Sequence, residues 1–405
     1  MLGRRSSFVL LVFAGLLVGA ACSDDDDEEP PVVEPVVVLD EVGDPEGELN
    51  LLAFAGYVED GSSDPAFDWV TPFERETGCT VHVQYADSGD EMLDVLTTED
   101  SGFDGASVPG DIARELINER TVAAVDPEII PGWDRVLAPL RGDNARHYIV
   151  EGDVFGVPAL YGPNFLMFDE RAVRPKPTSW EVVYEPDTKY GGRIAMLDSP
   201  MSIADAALYL SAAEPELGID DPYALTPPQL EAATNLLQQQ APLVGLYWTF
   251  FTDTIEAFGS GDVVVGTGWP IALSLLQIQD QPIAALIPEE GATGWADTWM
   301  VAADAEHPNC MLRWMGRTLS AEVQDEMARW YGGAPSNAHA CALIREELGD
   351  FADLADSLRF GRCGDREFLA SLELWRTPTV DCGDERGRAC TGAPAWREAW
   401  EEVRR

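Results

Sequence analysis

The chain has 405 residues and a formal net charge of −46, from 72 Asp and Glu against 26 Lys and Arg. That balance leaves no basic surface to neutralise phosphates, so it excludes a nucleic-acid binder and charge-driven docking on an anionic membrane. Hydrophobic residues at 46% and aromatics at 9% are enough for a large core and far from a disordered composition.

Arg4 and Arg5 precede an apolar run over 8–21, too short for a comfortable span and of the length of a signal-peptide core. It ends Gly19-Ala20-Ala21-Cys22, which resembles a bacterial lipobox. The expectation is a lipoprotein signal peptide over 1–22, with Cys22 lipidated and the chain held to the membrane only through that anchor. Residues 23–47 follow with eleven acids, four prolines and no base. Such a segment cannot bury a core and is expected to be a disordered, solvated tether. The charge divides as +2 for the signal, −11 for the tether and −37 for the body, which sums to −46, so the acidity belongs mainly to the folded part.

From residue 48 the pattern alternates. Residues 49–55 (LNLLAFA) read as a strand, 68–77 as a helix stopped by Gly78, and 80–85 (TVHVQY) as an alternating strand. Helix 89–98, strand 103–108 and helix 112–119 follow. A βαβαβ order argues for a parallel sheet with helices on its faces, where ligands sit at the carboxyl ends of strands. Later, 193–197, 262–267 and 283–287 read as strands. Segments 203–213, 227–240, 272–279 and 321–331 read as helices, and an apolar segment opens over 299–302. Residues 346–405 mix short helices with Cys-bearing loops.

Besides Cys22 there are six cysteines, at 79, 310, 341, 363, 382 and 390. An even number in an exported chain points to disulfides, densest after residue 309. Cys382 and Cys390 are close enough in sequence to close a short loop, and the pairing otherwise stays open. Three Cys/His neighbours occur (Cys79/His82, His307/Cys310, His339/Cys341), but the Cys–Cys and His–His spacings of structural zinc sites are absent. No metal and no cofactor is expected.

The body resembles the periplasmic spermidine/putrescine-binding proteins of ABC importers, and within them the YdcS-like branch. The resemblance rests on ordered stretches over 48–345, among them LNLLAFAGYVED (49–60), FDGASVPGD (103–111), FGVPALYGPNFLMFDER (155–171), GGRIAMLDSP (191–200), TGWPIALSLLQ (267–277), IPEEGATGWADTWM (287–300) and YGGAPSNAHA (331–340). It implies an α/β, two-lobed Venus-flytrap fold of the type II periplasmic-binding class. Two hinge crossovers would lie near 155–168 and 288–298. One lobe would hold 48–157 and 297–345, the other 158–296 and 346–405. It also implies a monomeric, non-enzymatic, periplasmic or cell-surface protein that passes a small cationic ligand to a permease and an ATPase.

A di- or polyamine is a chain of ammonium groups joined by methylenes, so its site needs carboxylates and flat aromatic faces. The resemblance places Trp295 as a platform and Asp297 as the ammonium's partner, with Trp269 as a cleft aromatic and Tyr57 beside it. Phe54 stands where the family has Trp. Ser199 and Ser202 stand where it often has two carboxylates. Asp205, one helical turn after Ser202, and Asp111, where spermidine binders often have Tyr, are expected to supply the missing charge. Gly333 replaces an expected Tyr, with Tyr331 two residues earlier. Competing readings are a thiamine, ferric-ion or other organic-cation binder of the same fold, and an exported hydrolase. The hydrolase lacks a G-x-S-x-G motif and a His in a catalytic context.

Overall fold

A computed structural model describes residues 37–98, 100–142 and 145–405. The signal segment, Cys22 and the acidic run up to residue 36 lie outside the described residues. The main elements are, in order, β1 (Glu48–Ala53), α1 (Val70–Thr77), β2 (Thr80–Tyr85), α2 (Gly89–Leu96), β3 (Gly105–Val108) and α3 (Gly110–Glu119). Then come β4 (Val157–Pro163), β5 (Phe165–Asp169), β6 (Ile194–Leu197), α4 (Ser202–Ala213), α5 (Pro227–Gln240) and β7 (Val244–Trp248). They are followed by α6 (Phe251–Ser260), β8 (Val265–Gly268), α7 (Pro270–Ile278), β9 (Ile283–Leu286), β10 (Thr293–Val301) and α8 (Pro308–Thr318). The chain ends with α9 (Ala321–Tyr331), β11 (Ala334–Pro335), α10 (Ala340–Leu348), β12 (Glu373–Leu374) and α11 (Ala393–Arg404).

Two mixed sheets organise these elements. The first runs β11-β4-β10-β3-β1-β2, with β12 added on β10, and the second runs β7-β6-β8-β5-β9. β1 pairs in parallel with β2 and β3, and β6 pairs in parallel with β7 and β8. The chain passes from the first sheet to the second at Asn164, the one residue between β4 and β5, and returns over 287–292. Each sheet is covered by helices, and large side chains such as Trp69, Trp180, Trp299 and Trp314 are fully buried. This is the mixed α/β, two-lobed architecture expected.

Local chemistry explains several boundaries. Ser88 caps α2 by accepting from the Glu91 amide at 3.1 Å, and the Asp87 amide donates to Glu91 Oε2 at 2.7 Å. α5 opens on a Thr226/Gln229 capping box with proline in its first turn. Gly78 and Gly332 end α1 and α9 in the left-handed conformation.

Three regions differ from the sequence reading. Residues 158–163 and 293–296, expected in the second lobe, belong to β4 and β10 of the first sheet, because these strands run on to the passages between the sheets. Residues 37–47, the end of the expected tether, lie along the body. Val38–Leu39 pairs in parallel with Ala124–Val125, and Glu46 accepts from the Asn309 and Cys310 amides, both at 2.9 Å, at the start of α8. Orphan amide protons at a helix N-terminus explain why an acid settles there. Residues 346–405 do not keep to one sheet. β12 pairs with β10 of the first sheet, while α11 packs on α5 of the second. The disulfides pair Cys79 with Cys310, Cys341 with Cys363, and Cys382 with Cys390.

Candidate functional site

A cavity of about 180 Å³ lies where the carboxyl ends of β1, β3, β6, β7 and β8 converge. That is where open α/β sheets bind ligands, because loops and helix starts gather there. One wall comes from the first sheet. Phe54 follows β1, Asp87 to Asp90 open α2, Asp111 lies in the first turn of α3, and Trp295 and Asp297 project from β10. The opposite wall comes from the second sheet, with Asp198 and Ser199 after β6, Phe250 after β7, and Trp269 at the start of α7. Tyr331 and Trp375 complete it.

β10 is buried along its whole length, and its register against β4 shifts between Ala296 and Thr298. Asp297 sits at that irregularity, a device that re-aims a side chain out of a ladder. Trp295, two residues earlier, lines the same cavity. Its ring is seated by small neighbours. A Cβ on Gly162 would lie 2.5 Å from Trp295 Cζ2, and one on Gly333 would lie 2.9 Å from Cη2. The glycine at 333 that departs from the family pattern is therefore room for Trp295.

Burial dominates the electrostatics. Asp297 is 5% exposed, and the Tyr57 hydroxyl donates to its Oδ2 at 2.5 Å. Burial pushes the Asp297 carboxyl up to about 7, the negative charge of Asp111 adds to this, and the Tyr57 hydrogen bond opposes it. Asp111 is also pushed up to about 7 by burial, reinforced by Asp90 and opposed by Arg397. Asp111 Oδ1 has no hydrogen-bond partner among the described residues, and neither does Trp295 Nε1. A buried carboxylate of this kind is costly when ionised alone and gains most from a cation brought to it.

Of the sequence-predicted residues, Phe54, Asp111, Ser199, Trp269, Trp295 and Asp297 line one cavity. Tyr57 stands behind it. Its ring is fully buried against Tyr331, centroids 5.0 Å apart, and its hydroxyl meets Asp297. Ser202 and Asp205 are not part of the lining. The Ser202 hydroxyl donates to the Leu197 carbonyl at 2.8 Å. Asp205 accepts from Thr293 Oγ1 at 2.6 Å, and burial pushes it up to about 7. Their helix is buried on nearly all sides, so a one-turn spacing did not decide which side meets the cavity. Thr293 in turn accepts from Asn164 Nδ2 at 2.7 Å, and Asn164 Oδ1 accepts from Trp269 Nε1 at 2.7 Å. Asp205 thus ends a polar chain that fixes Trp269 through the two passages between sheets. Sequence reasoning missed Asp87, Asp90, Phe250 and Trp375 as lining residues. The only signal for them was position just after a strand.

Among the described residues no group of three or more His, Cys, Asp or Glu is placed to hold a metal, and no helix is long and apolar enough to cross a membrane.

The family model for bacterial extracellular solute-binding proteins matches residues 68–345. The putrescine/agmatine-binding protein of Pseudomonas aeruginosa is 24% identical over 304 residues, covering 70% of this chain and 79% of its own. Two solved structures share the fold. The TpPotD lipoprotein of Treponema pallidum has a TM-score of 0.68 at 16% identity, covering 88% of this chain and 99% of its own. The spermidine/putrescine substrate-binding protein PotD of Streptococcus pneumoniae has a TM-score of 0.63 at 17% identity, covering 88% and 97%. This chain belongs to the bacterial extracellular solute-binding protein family.

Proposed function

We propose that this solute-binding protein is the lipid-anchored, extracytoplasmic receptor of an ABC importer and binds a small diamine of the putrescine kind. The observation that carries the reading is the pair of carboxylates, buried Asp297 and part-buried Asp111, both pushed up to about 7 between aromatic walls. A diamine supplies one ammonium to each. Its methylene stem lies on Trp295, Trp269 and Phe54, whose faces also attract cations. Tyr57 orients Asp297, and Ser199 borders the site from the second sheet. The name of the Pseudomonas relative, a putrescine/agmatine-binding protein, supports the same ligand class.

In this reading binding draws the two sheets together about Asn164 and residues 287–292, the hinge closure that buries ligands in such proteins. The chain does no covalent chemistry. It acts as a monomer held outside the cytoplasm by Cys22 and hands its ligand to a permease and an ATPase. A second reading is favoured by one feature, the seven aromatics of the lining against two buried acids. An aromatic box of that kind suits a quaternary ammonium or thiamine.

The test is a thermal-denaturation screen with putrescine, agmatine, spermidine, choline and thiamine, since a ligand that binds only the folded state raises the midpoint. A diamine is expected to raise it. A shift with choline or thiamine alone moves the assignment to the second reading, and no shift with any amine refutes the diamine reading.

A further inference from the structure

Five carboxylates line the cavity: Asp87, Asp90, Asp111, Asp198 and Asp297. Two of them face arginines of the C-terminal helix α11. Arg397 Nε lies 3.4 Å from Asp90 Oδ1, while its two terminal nitrogens hold Glu115 of α3, Nη1 at 3.2 Å from Oε2. Arg404 Nη2 lies 3.1 Å from Asp198 Oδ2, and Trp400 Nε1 donates to Asp198 Oδ1 at 3.1 Å. Asp90 belongs to the first-sheet wall and Asp198 to the second, so one helix puts a fixed cation beside an acid on each side. Asp87 and Asp90 are both exposed at the rim, Asp90 with its side chain 62% exposed, so water and salt already screen them in part. Buried Asp297 and part-buried Asp111 remain as the lining acids without an ion pair to a fixed cation.

Resting on the diamine reading above, we propose that α11 sets the charge count of the site. Arg397 and Arg404 neutralise Asp90 and Asp198, so that two ammonium groups are matched and a third finds no free carboxylate. The two arginines are specificity-determining residues that discriminate against triamines. They do not touch the diamine themselves. Their placement does not depend on one contact. α11 is seated by buried Trp396, Trp400 and Val403, and Arg404 also lies over the Tyr247 ring, 3.7 Å from its centroid. Arg397 also lines a small cavity of about 20 Å³ together with Asp90 and Asp111, but its ion pairs go to Asp90 and Glu115.

The experiment is calorimetric titration of the full chain with putrescine and with spermidine, in wild type and in Arg397→Gln, Arg404→Gln and Arg397→Lys. Wild type is expected to bind putrescine more tightly than spermidine. Arg404→Gln frees part-exposed Asp198 and is expected to raise the spermidine-to-putrescine affinity ratio roughly fivefold, the scale of such an ion pair, whereas Arg397→Gln frees the more exposed, screened Asp90 and raises the ratio less. Arg397→Lys keeps the charge and is expected to keep the wild-type ratio, which a merely structural role for the side chain would not require. Tighter binding of spermidine by wild type overturns the inference even if a variant fails to fold. Putrescine binding with an unaltered ratio in folded Gln variants overturns it alone. Absence of any amine binding by wild type overturns the diamine reading and this inference with it.

Discussion

Replacing Asp297 by Asn should move binding and stability in opposite directions. The buried carboxyl is shifted from an ordinary 3.8 to about 7, which stores on the order of 4 kcal/mol against the ionised folded state. The sign follows from the direction. A raised folded pKa means that the native protein holds the proton more tightly than the unfolded chain. The associated stability is present at low pH and is lost as pH rises through about 7. At pH 8 the wild-type ligand-free protein therefore carries a buried anion with one hydrogen bond, from Tyr57. Asn removes the anion and keeps an acceptor for that hydroxyl. Differential scanning calorimetry at pH 8 should show an unchanged or higher midpoint for ligand-free Asp297→Asn, by up to roughly 5 °C. The same variant loses a desolvated charge partner, so its diamine affinity should fall by roughly thirtyfold or more. A lower ligand-free midpoint combined with unimpaired binding would refute the assignment of Asp297 as a strained acid kept for its ligand.

Three further outcomes follow from the same geometry. Because Asp111 and Asp297 must both ionise to meet a diamine, and both sit near pH 7 from burial, affinity should be about tenfold or more weaker at pH 5.5 than at pH 8. Titrations in buffers of different ionisation enthalpy should show protons released on binding, and a flat pH profile would contradict the pair's role. Gly162→Ala places a Cβ 2.5 Å from the Trp295 ring, so it should weaken amine binding while far-ultraviolet circular dichroism stays unchanged. Cys22→Ala should yield an unprocessed or freely soluble product, and membrane partitioning equal to wild type would remove the anchor from the account.

Much of the fold was legible because local signals agreed with the global one. The strand over Thr80–Tyr85, the helix over Pro227–Gln240 and the helix over Ala321–Tyr331 have the bounds that alternation, capping and glycine stops indicate. β10 was legible only at its end. All nine of its residues are buried, so the alternation that marks a half-exposed strand is absent, and Asp297 interrupts its apolar run. α11 went unread because its arginines and glutamates look like an ordinary solvated face. Their partners, Asp90, Glu115 and Asp198, are about two hundred to three hundred residues away in sequence. The site divided in the same way. Residues just after strands or on β10 converge on the cavity, whereas Ser202, placed by the resemblance, and Asp205, inferred from helical spacing, lie on a helix with little exposed face.

The bulk charge of −46 does not by itself define the site. The cavity holds five acids, of which Asp87 and Asp90 are exposed and Asp90 and Asp198 are countered by arginines, so the discriminating charge comes down to Asp111 and Asp297. The surrounding field still favours the approach of cations, an effect that shows in association rates and fades with salt.

The central claim is tested most directly by titrating putrescine into the ligand-free full chain at pH 6, where Asp111 and Asp297 are still largely protonated, and counting protons released in two buffers. Saturable one-to-one binding that frees protons from these two acids is predicted. Heats indistinguishable from dilution, or binding with no proton release, would contradict it.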